Sequence, residues 1–157
     1  LLGVYIPSDK QIILYDRGID WFAAEEKLDN NLLRAVVLVH EIGHWVTHVL
    51  PKFQQFNSTI LRLFAQQHGN PGWPLADYTK TDEEVHEGWA QLITWWIVNH
   101  VGGELKRTFE KLNQNQSSPY LVFKKYTGYD VKRVIDSLEK LRNLGRPAKI
   151  SDWDNVI

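Results

Sequence analysis

The segment spanning residues 32–50 constrains the fold of this chain most strongly, because it is apolar and yet carries three histidines and a glutamate. A helix formed here would be apolar nearly all round, and such helices are buried. Ionisable groups on a buried helix need a partner, since an unpaired buried charge is costly. The segment therefore predicts a buried helix whose ionisable side chains meet a partner. We expect its main apolar stripe to consist of Leu38, Ile42, Trp45 and Val49.

This segment contains an HExxH motif, His40-Glu41-Ile42-Gly43-His44. Residues four apart share a helix face, so His40 and His44 can hold one metal ion. Glu41 can reach the open side of that metal and take a proton from water. Random placement would produce the motif in roughly one such chain in a hundred, so the motif alone is weak evidence for a metal site and the apolar residues around it are needed as support. We expect a Zn²⁺ site with Glu41 as the catalytic residue; the alternative is two surface histidines flanking a solvated glutamate.

Gly43 lies in the interior of this predicted helix, where glycine costs about 1 kcal/mol relative to alanine. Glycine is tolerated there when another backbone or a ligand approaches closely. The sequence does not distinguish a close approach of another backbone or a ligand at Gly43 from ordinary packing of the helix.

A catalytic zinc usually takes three protein ligands and leaves a fourth position for water. His48 lies one turn beyond His44, about 6 Å along the helix axis. Ligands on three successive turns do not converge on one ion at about 2.0–2.1 Å. We therefore expect His48 not to be a ligand.

The third ligand is expected on a later helix, predicted over residues 82–101. Thr81 to Glu84 fits a capping box, which accounts for the acids of the first turn. Glu87 lies beyond that turn and enters an apolar stretch, where a carboxylate needs a cation. We expect Glu87 to be the third metal ligand, with Glu84 or His86 as alternatives.

An HExxH helix followed by a glutamate on a later helix resembles the gluzincin-type zinc metallopeptidases, and Glu87-Gly88-Trp89-Ala90 matches their E-x-x-A form. The small size, the hairpin before the motif and the sequence His-Glu-Ile-Gly-His are similar to the ImmA/IrrE-like small bacterial peptidases. The resemblance covers about residues 3–100. The chain departs from that family at residues 91–95 and in the long stretch 45–86. The resemblance implies a zincin-like fold and zinc-dependent peptide-bond hydrolysis, without a specific substrate.

Local patterns predict a mainly α (α+β) fold, with an N-terminal β-hairpin packed beside the buried active-site helix and a helical C-terminal part. Strands are expected at residues 3–6 and 11–15. Helices are expected from Asp29 or Asn30 to Pro51 and over 52–68, 82–101, 104–112, 118–128 and 130–144, the last capped by Asp130. Residues 16–28 are ambiguous, with a short helical turn at 21–24. We expect one domain, 1–157, in which 1–101 carries the hairpin and the metal site and 102–157 is the C-terminal helical part.

The last predicted helix is expected to bury Val131, Val134, Ile135, Leu138 and Leu141. The tryptophans at 73, 89, 95 and 96 are expected to pack in the core rather than to form a ligand platform. Five side chains could donate to an oxyanion, none preferred: Tyr78, His86, Tyr120, Tyr126 and Tyr129.

The net charge of −1 gives no case for nucleic acid as a partner. The charge is uneven: residues 1–99 hold 7 Lys/Arg against 12 Asp/Glu, and residues 100–149 hold 11 against 5. We interpret the second stretch as a solvated basic face, with a docking surface as the weaker alternative. The absence of cysteine excludes disulfides and thiolate ligands.

The ionisable groups in residues 32–50 make that segment a poor membrane span, so we expect no membrane partner. The chain has no Met, and we expect its native start to be missing. No signal peptide is visible, which slightly favours a cytoplasmic protein.

The expected partner is a peptide or protein substrate, and the oligomeric state is left open. Two other classes of protein compete with a peptidase. One is an interaction module with a closed structural zinc, which the lack of cysteine disfavours. The other is a zincin-like regulatory domain that binds one protein partner with little or no general proteolysis.

Overall fold

The computed structural model describes residues 1–49 and 72–157. It is mainly helical with an N-terminal two-stranded antiparallel hairpin, as the α+β assignment predicts. The elements in chain order are β1 (Gly3–Ile6), β2 (Gln11–Leu14), α1 (Asp16–Glu26), α2 (Asn30–Val49), α3 (Leu75–Tyr78), α4 (Glu83–Val101), α5 (Gly103–Asn113), α6 (Ser118–Leu121), a 3₁₀ turn (Val122–Lys125), α7 (Val131–Arg142) and α8 (Ile150–Val156). The helix predicted over residues 52–68, and the end of α2 predicted at Pro51, lie outside the described residues.

Both strands of the hairpin pack against α2. Their register pairs Val4 with Ile13, and the carbonyl of Leu2 accepts from the Tyr15 N–H at 2.9 Å. Backbone groups alternate sides along a strand, so those of Gly3 and Tyr5 face away from β2. The edge of β1 that does not pair with β2 therefore faces α2.

Within the ambiguous segment 16–28, residues Asp16–Glu26 form a helix, α1, rather than a short turn. It buries only Ile19 and Ala23, which explains its weak apolar periodicity. It ends at Lys27, whose φ of 55° places it in the left-handed region. An ion pair between Arg34 and Asp16 ties α1 to α2.

The motif helix α2 begins where predicted, since the Asp29 carboxylate accepts from the Leu32 N–H at 2.9 Å. Its predicted apolar stripe is wrong. Leu38 is 39% exposed, and Ile42, Trp45 and Val49 are only partly buried. The buried face instead contains Leu33, Val36, Val37, Glu41, Gly43, His44, Thr47 and His48. Packing against α4 and the hairpin selects this face, although it carries the ionisable groups.

At Gly43, α2 and α4 approach each other closely. A Cβ added there would lie 2.8 Å from the Cα and 3.0 Å from the carbonyl oxygen of Ala90. The glycine thus permits a backbone-to-backbone contact between the two helices. This contact places the HExxH turn beside the first turns of α4.

The predicted capping box at the start of α4 is wrong. The Thr81 hydroxyl donates to the Asp77 carbonyl at 2.8 Å and accepts from the Ala148 N–H at 2.9 Å. Asp82 occupies the N-cap position, and its carboxylate accepts from the Ile150 N–H at 3.1 Å. Both side chains are engaged by the segment that leads into α8, so neither caps α4.

The C-terminal part differs from prediction in three respects. Residues 118–128 form α6 and a 3₁₀ turn instead of one helix. Helix α7 is capped by Asp130 as predicted, but it ends at Arg142, and Val131 is 48% exposed. It is also not the last helix, because α8 follows and buries Trp153.

Trp153 stacks between Trp89 and Tyr126, with ring centroids 5.0 and 3.9 Å away. The core assignment of the tryptophans holds for Trp73 and Trp89, which are buried, while Trp95 and Trp96 are partly buried against the core. No helix in the described ranges has the length and apolarity needed to cross a membrane.

Basic side chains of residues 100–149 form ion pairs with nearby acids. Some of these acids come from other parts of the chain, as in the pairs Lys111–Glu26, Lys125–Asp154 and Arg146–Asp152. The positive charge of this stretch is thereby partly neutralised locally.

Candidate metal centre

Three potential ligand atoms from α2 and α4 converge at one point. Oε2 of Glu87 lies 3.0 Å from Nε2 of His40 and 3.4 Å from Nε2 of His44. The two Nε2 atoms are 3.1 Å apart. The side chains are 12%, 11% and 15% exposed for His40, His44 and Glu87. This group could hold a metal ion.

The spacing of these atoms fits a tetrahedral zinc ion. Metal–ligand distances of about 2.0–2.1 Å at tetrahedral angles require ligand atoms roughly 3.3–3.4 Å apart. The three separations, 3.0, 3.1 and 3.4 Å, lie close to that value. Two imidazole nitrogens and a carboxylate oxygen are also a ligand set that catalytic zinc uses.

Electrostatics favour the ligand form of Glu87. Burial by itself would raise the pKa of this carboxyl, but hydrogen bonds with His40 and His44 outweigh burial and hold the pKa well below its ordinary range. The side chain is therefore an ionised carboxylate. Nδ1 of His40 is buried and has no hydrogen-bond partner within residues 1–49 and 72–157.

Glu41 lies beside this group and is only 5% exposed. Burial raises its pKa to about 7, and the charge of Glu87 adds to the rise, whereas His44 and a hydrogen bond from the Tyr5 backbone N–H act in the opposite direction. A carboxyl with a pKa near neutrality can both accept and release a proton at physiological pH. The strand β1 lies directly against it, because a Cβ on Gly3 would be 2.8 Å from Glu41 Oε1.

A cleft of about 410 Å³ opens beside the motif, between α1, α2 and the loop after α5. His40 and Glu41 form part of its wall. Trp21 also lines it and is 66% exposed. Its other apolar walls include Leu2, Phe22, Val37 and Leu112, and its polar groups include Gln91, Asn115, Gln116 and Tyr120.

The alternative ligands lie elsewhere. The His86 ring packs against the rings of Tyr78, at 4.3 Å, and Trp73, at 6.3 Å, and burial lowers its pKa to about 4. Glu84 is half-buried in the first turn of α4 and does not belong to the converging group. His48, predicted not to be a ligand, has its Nδ1 2.7 Å from the Tyr5 hydroxyl.

One tyrosine of the four named as oxyanion donors lies in the cleft. Tyr120 lines it, with its ring centroid 5.8 Å from that of His40. Tyr78 donates instead to a carbonyl of α2 and Tyr126 to a carboxylate of α8. Tyr129 is 38% exposed, beneath a guanidinium of α7. No local sequence pattern favours Tyr120 over the other tyrosines, because its position depends on how α6 packs against α4.

Comparisons with known proteins add no family to this description. Neither protein-family models, curated proteins nor solved structures provide a match to the chain. Any family assignment therefore depends on the motif residues and their geometry.

Proposed function

We propose that this chain is a zinc-dependent, gluzincin-like peptidase that resembles the ImmA/IrrE-like small bacterial peptidases. One observation carries the proposal: three ligand atoms from two helices converge beside a buried carboxyl, and two of these residues, His40 and Glu41, line an open cleft. A closed structural site would not need such a carboxyl or such a cleft.

Zinc suits this group because imidazole nitrogens favour it and because three protein ligands leave one position open. When bound, zinc would act as a Lewis acid that acidifies water and polarises a carbonyl. His40, His44 and Glu87 would hold the ion. These three residues lie on two helices that pack closely at Gly43, so their mutual geometry is fixed before any ion binds.

Glu41 would act as the general base. It takes the proton of the attacking water and returns it to the leaving nitrogen of the peptide. Its burial disfavours the ionised form, which makes proton uptake at neutral pH favourable.

The cleft would bind the substrate. Its apolar walls suit uncharged side chains of a peptide. Burial raises the pKa of Tyr120 to about 12, so its hydroxyl stays protonated and can donate to a developing oxyanion.

The test is a zinc titration and a peptide-library digestion with the purified chain and its Glu41→Gln variant. We expect one zinc per chain in both proteins and hydrolysis by the parent only, with a loss of at least about a hundredfold in the variant. Failure to bind zinc, or full activity of the variant, would contradict the proposal. Zinc binding without hydrolysis of any peptide would support the zincin-like regulatory domain instead.

A further inference from the structure

Tyr5 contacts the motif helix at two places. Its backbone N–H donates to the carboxylate of Glu41. Its hydroxyl lies 2.7 Å from Nδ1 of His48, and both side chains are buried. Residues 41 and 48 are two helical turns apart, about 10 Å along the axis. One strand residue thus bridges the helix from the predicted base to a point beyond both histidines of the motif.

The backbone contact depends on the register of β1 on α2, that is, on the position of the strand along the helix axis. Tyr5 is one of the residues whose N–H faces away from β2, and Gly3 is the other. At Gly3 the strand is already in contact with the Glu41 side chain, since an added Cβ would be 2.8 Å from Oε1. A small shift of the strand would therefore remove the hydrogen bond to the carboxylate.

The contact between the Tyr5 hydroxyl and His48 is well suited to fix this register. Burial raises the pKa of Tyr5 to about 12 and lowers that of His48 to about 4, so a neutral hydroxyl shares a hydrogen bond with a neutral imidazole. The His48 ring is itself held by Tyr78, which stacks on it at 4.4 Å with an angle of 18° between the ring planes. A rigidly held imidazole on α2 is thus hydrogen-bonded to a hydroxyl on β1.

We propose that Tyr5 and His48 are positioning residues: their contact holds β1 at the register on α2 where the Tyr5 N–H orients the Glu41 carboxylate toward the reaction. The inference depends on the proposed function, because it assigns Glu41 the role of base. Neither residue lines the cleft or belongs to the group that could hold a metal. Loss of their contact should misplace the base while the metal ligands stay in place.

The first test follows the strand in the metal-free protein and needs no activity. Amide hydrogen exchange at residue 5 is measured in the parent, in Tyr5→Phe and in His48→Leu. We expect exchange at this amide to speed up at least about tenfold in both variants, because its hydrogen bond opens more often. Tyr126→Phe is the matched control, since it removes a buried hydroxyl that bonds Asp154 at 2.8 Å, away from the hairpin. Unchanged exchange in Tyr5→Phe would overturn the inference.

The second test uses the zinc-loaded protein with a peptide that the parent cleaves. We expect kcat of Tyr5→Phe to fall about ten- to hundredfold, with KM and the zinc Kd within twofold of the parent, since misplacing a base costs less than its removal. His48→Gln keeps a side chain that can hydrogen-bond the Tyr5 hydroxyl and should retain more activity than His48→Leu. An unchanged kcat, or a loss that only parallels lost zinc or lost folding, would overturn the inference. If the parent cleaves no peptide, the proposed function fails, while the exchange result still decides whether the contact holds β1 against Glu41.

Discussion

The carboxylate of Glu87 on α4 lies 3.0 Å from Nε2 of His40 on α2, although the two residues are 47 positions apart in the sequence. The contact spans the crossing of two helices that meet at Gly43. Because a metal would bind both side chains, ligand geometry and helix packing are coupled here.

Removal of the Glu87 carboxylate should abolish tight metal binding. We expect Glu87→Ala to weaken zinc affinity by more than about a hundredfold, since even residues that only support ligands contribute 10- to 100-fold. Glu84→Ala is the control, because it removes a carboxylate from the same helix outside the converging group. The measurement is zinc Kd by competition with a chelating dye. Equal affinities for the two variants would show that Glu87 is not a ligand.

A methyl group at Gly43 should destabilise the protein. Its nearest neighbours would be backbone atoms of Ala90 at 2.8 and 3.0 Å, which cannot move without separating the helices. We expect Gly43→Ala to lower the free energy of unfolding by about 1–3 kcal/mol, despite the better helix propensity of alanine. Gly128→Ala, where an added Cβ meets nothing within 4 Å, is the control. Denaturant unfolding measures both, and a neutral Gly43→Ala would contradict the close approach.

Burial of Glu41 should make the metal-free protein sensitive to pH. Its pKa rises from an ordinary 4.5 to about 7 on folding. A carboxyl with a raised folded pKa contributes its full stability below the unfolded pKa and loses it as the pH rises through the folded value. Between pH 4 and 8, the parent should therefore lose roughly 3 kcal/mol of unfolding free energy relative to Glu41→Gln. Parallel pH profiles of the two proteins would refute this.

Trp21 should contribute to substrate binding rather than to folding, because it is 66% exposed on the wall of the cleft. We expect Trp21→Ala to raise KM about tenfold for peptides with large apolar side chains, with little change in Tm. Leu38→Ala, which truncates a residue 39% exposed and not in the cleft, should leave KM unchanged. Equal effects of the two substitutions on KM would remove the cleft as the binding site.

The sequence predicted what local geometry determines. His40 and His44 share a face because a helix repeats every 3.6 residues, and Asp29 and Asp130 cap helices through neighbours three residues away. The prediction of Glu87 depended in part on a capping box that does not exist. Thr81 bonds Ala148, which lies 67 residues away. The spacing of nearby residues does not reveal such a long-range contact. The prediction that Glu87 joins His40 and His44 therefore used a wrong argument, the capping box, although the three side chains do converge.

The features of the fold and site that were not predicted depend on contacts between residues far apart in the sequence. Tyr5 meets His48 across 43 residues, and its role follows from the edge that β1 turns toward α2. Helix α8 has seven residues, of which only Trp153 is buried, too few for a periodic pattern. The buried face of α2 was misassigned because its polar residues point inward, against the usual rule.

The most direct test is a crystal structure of the zinc-loaded protein with anomalous data collected at the zinc edge. We expect one anomalous peak within about 2.0–2.2 Å of Nε2 of His40, Nε2 of His44 and a carboxylate oxygen of Glu87, with one coordination position not filled by the protein. A peak ligated by Glu84, His86 or His48 instead, or no zinc between α2 and α4, would contradict this prediction.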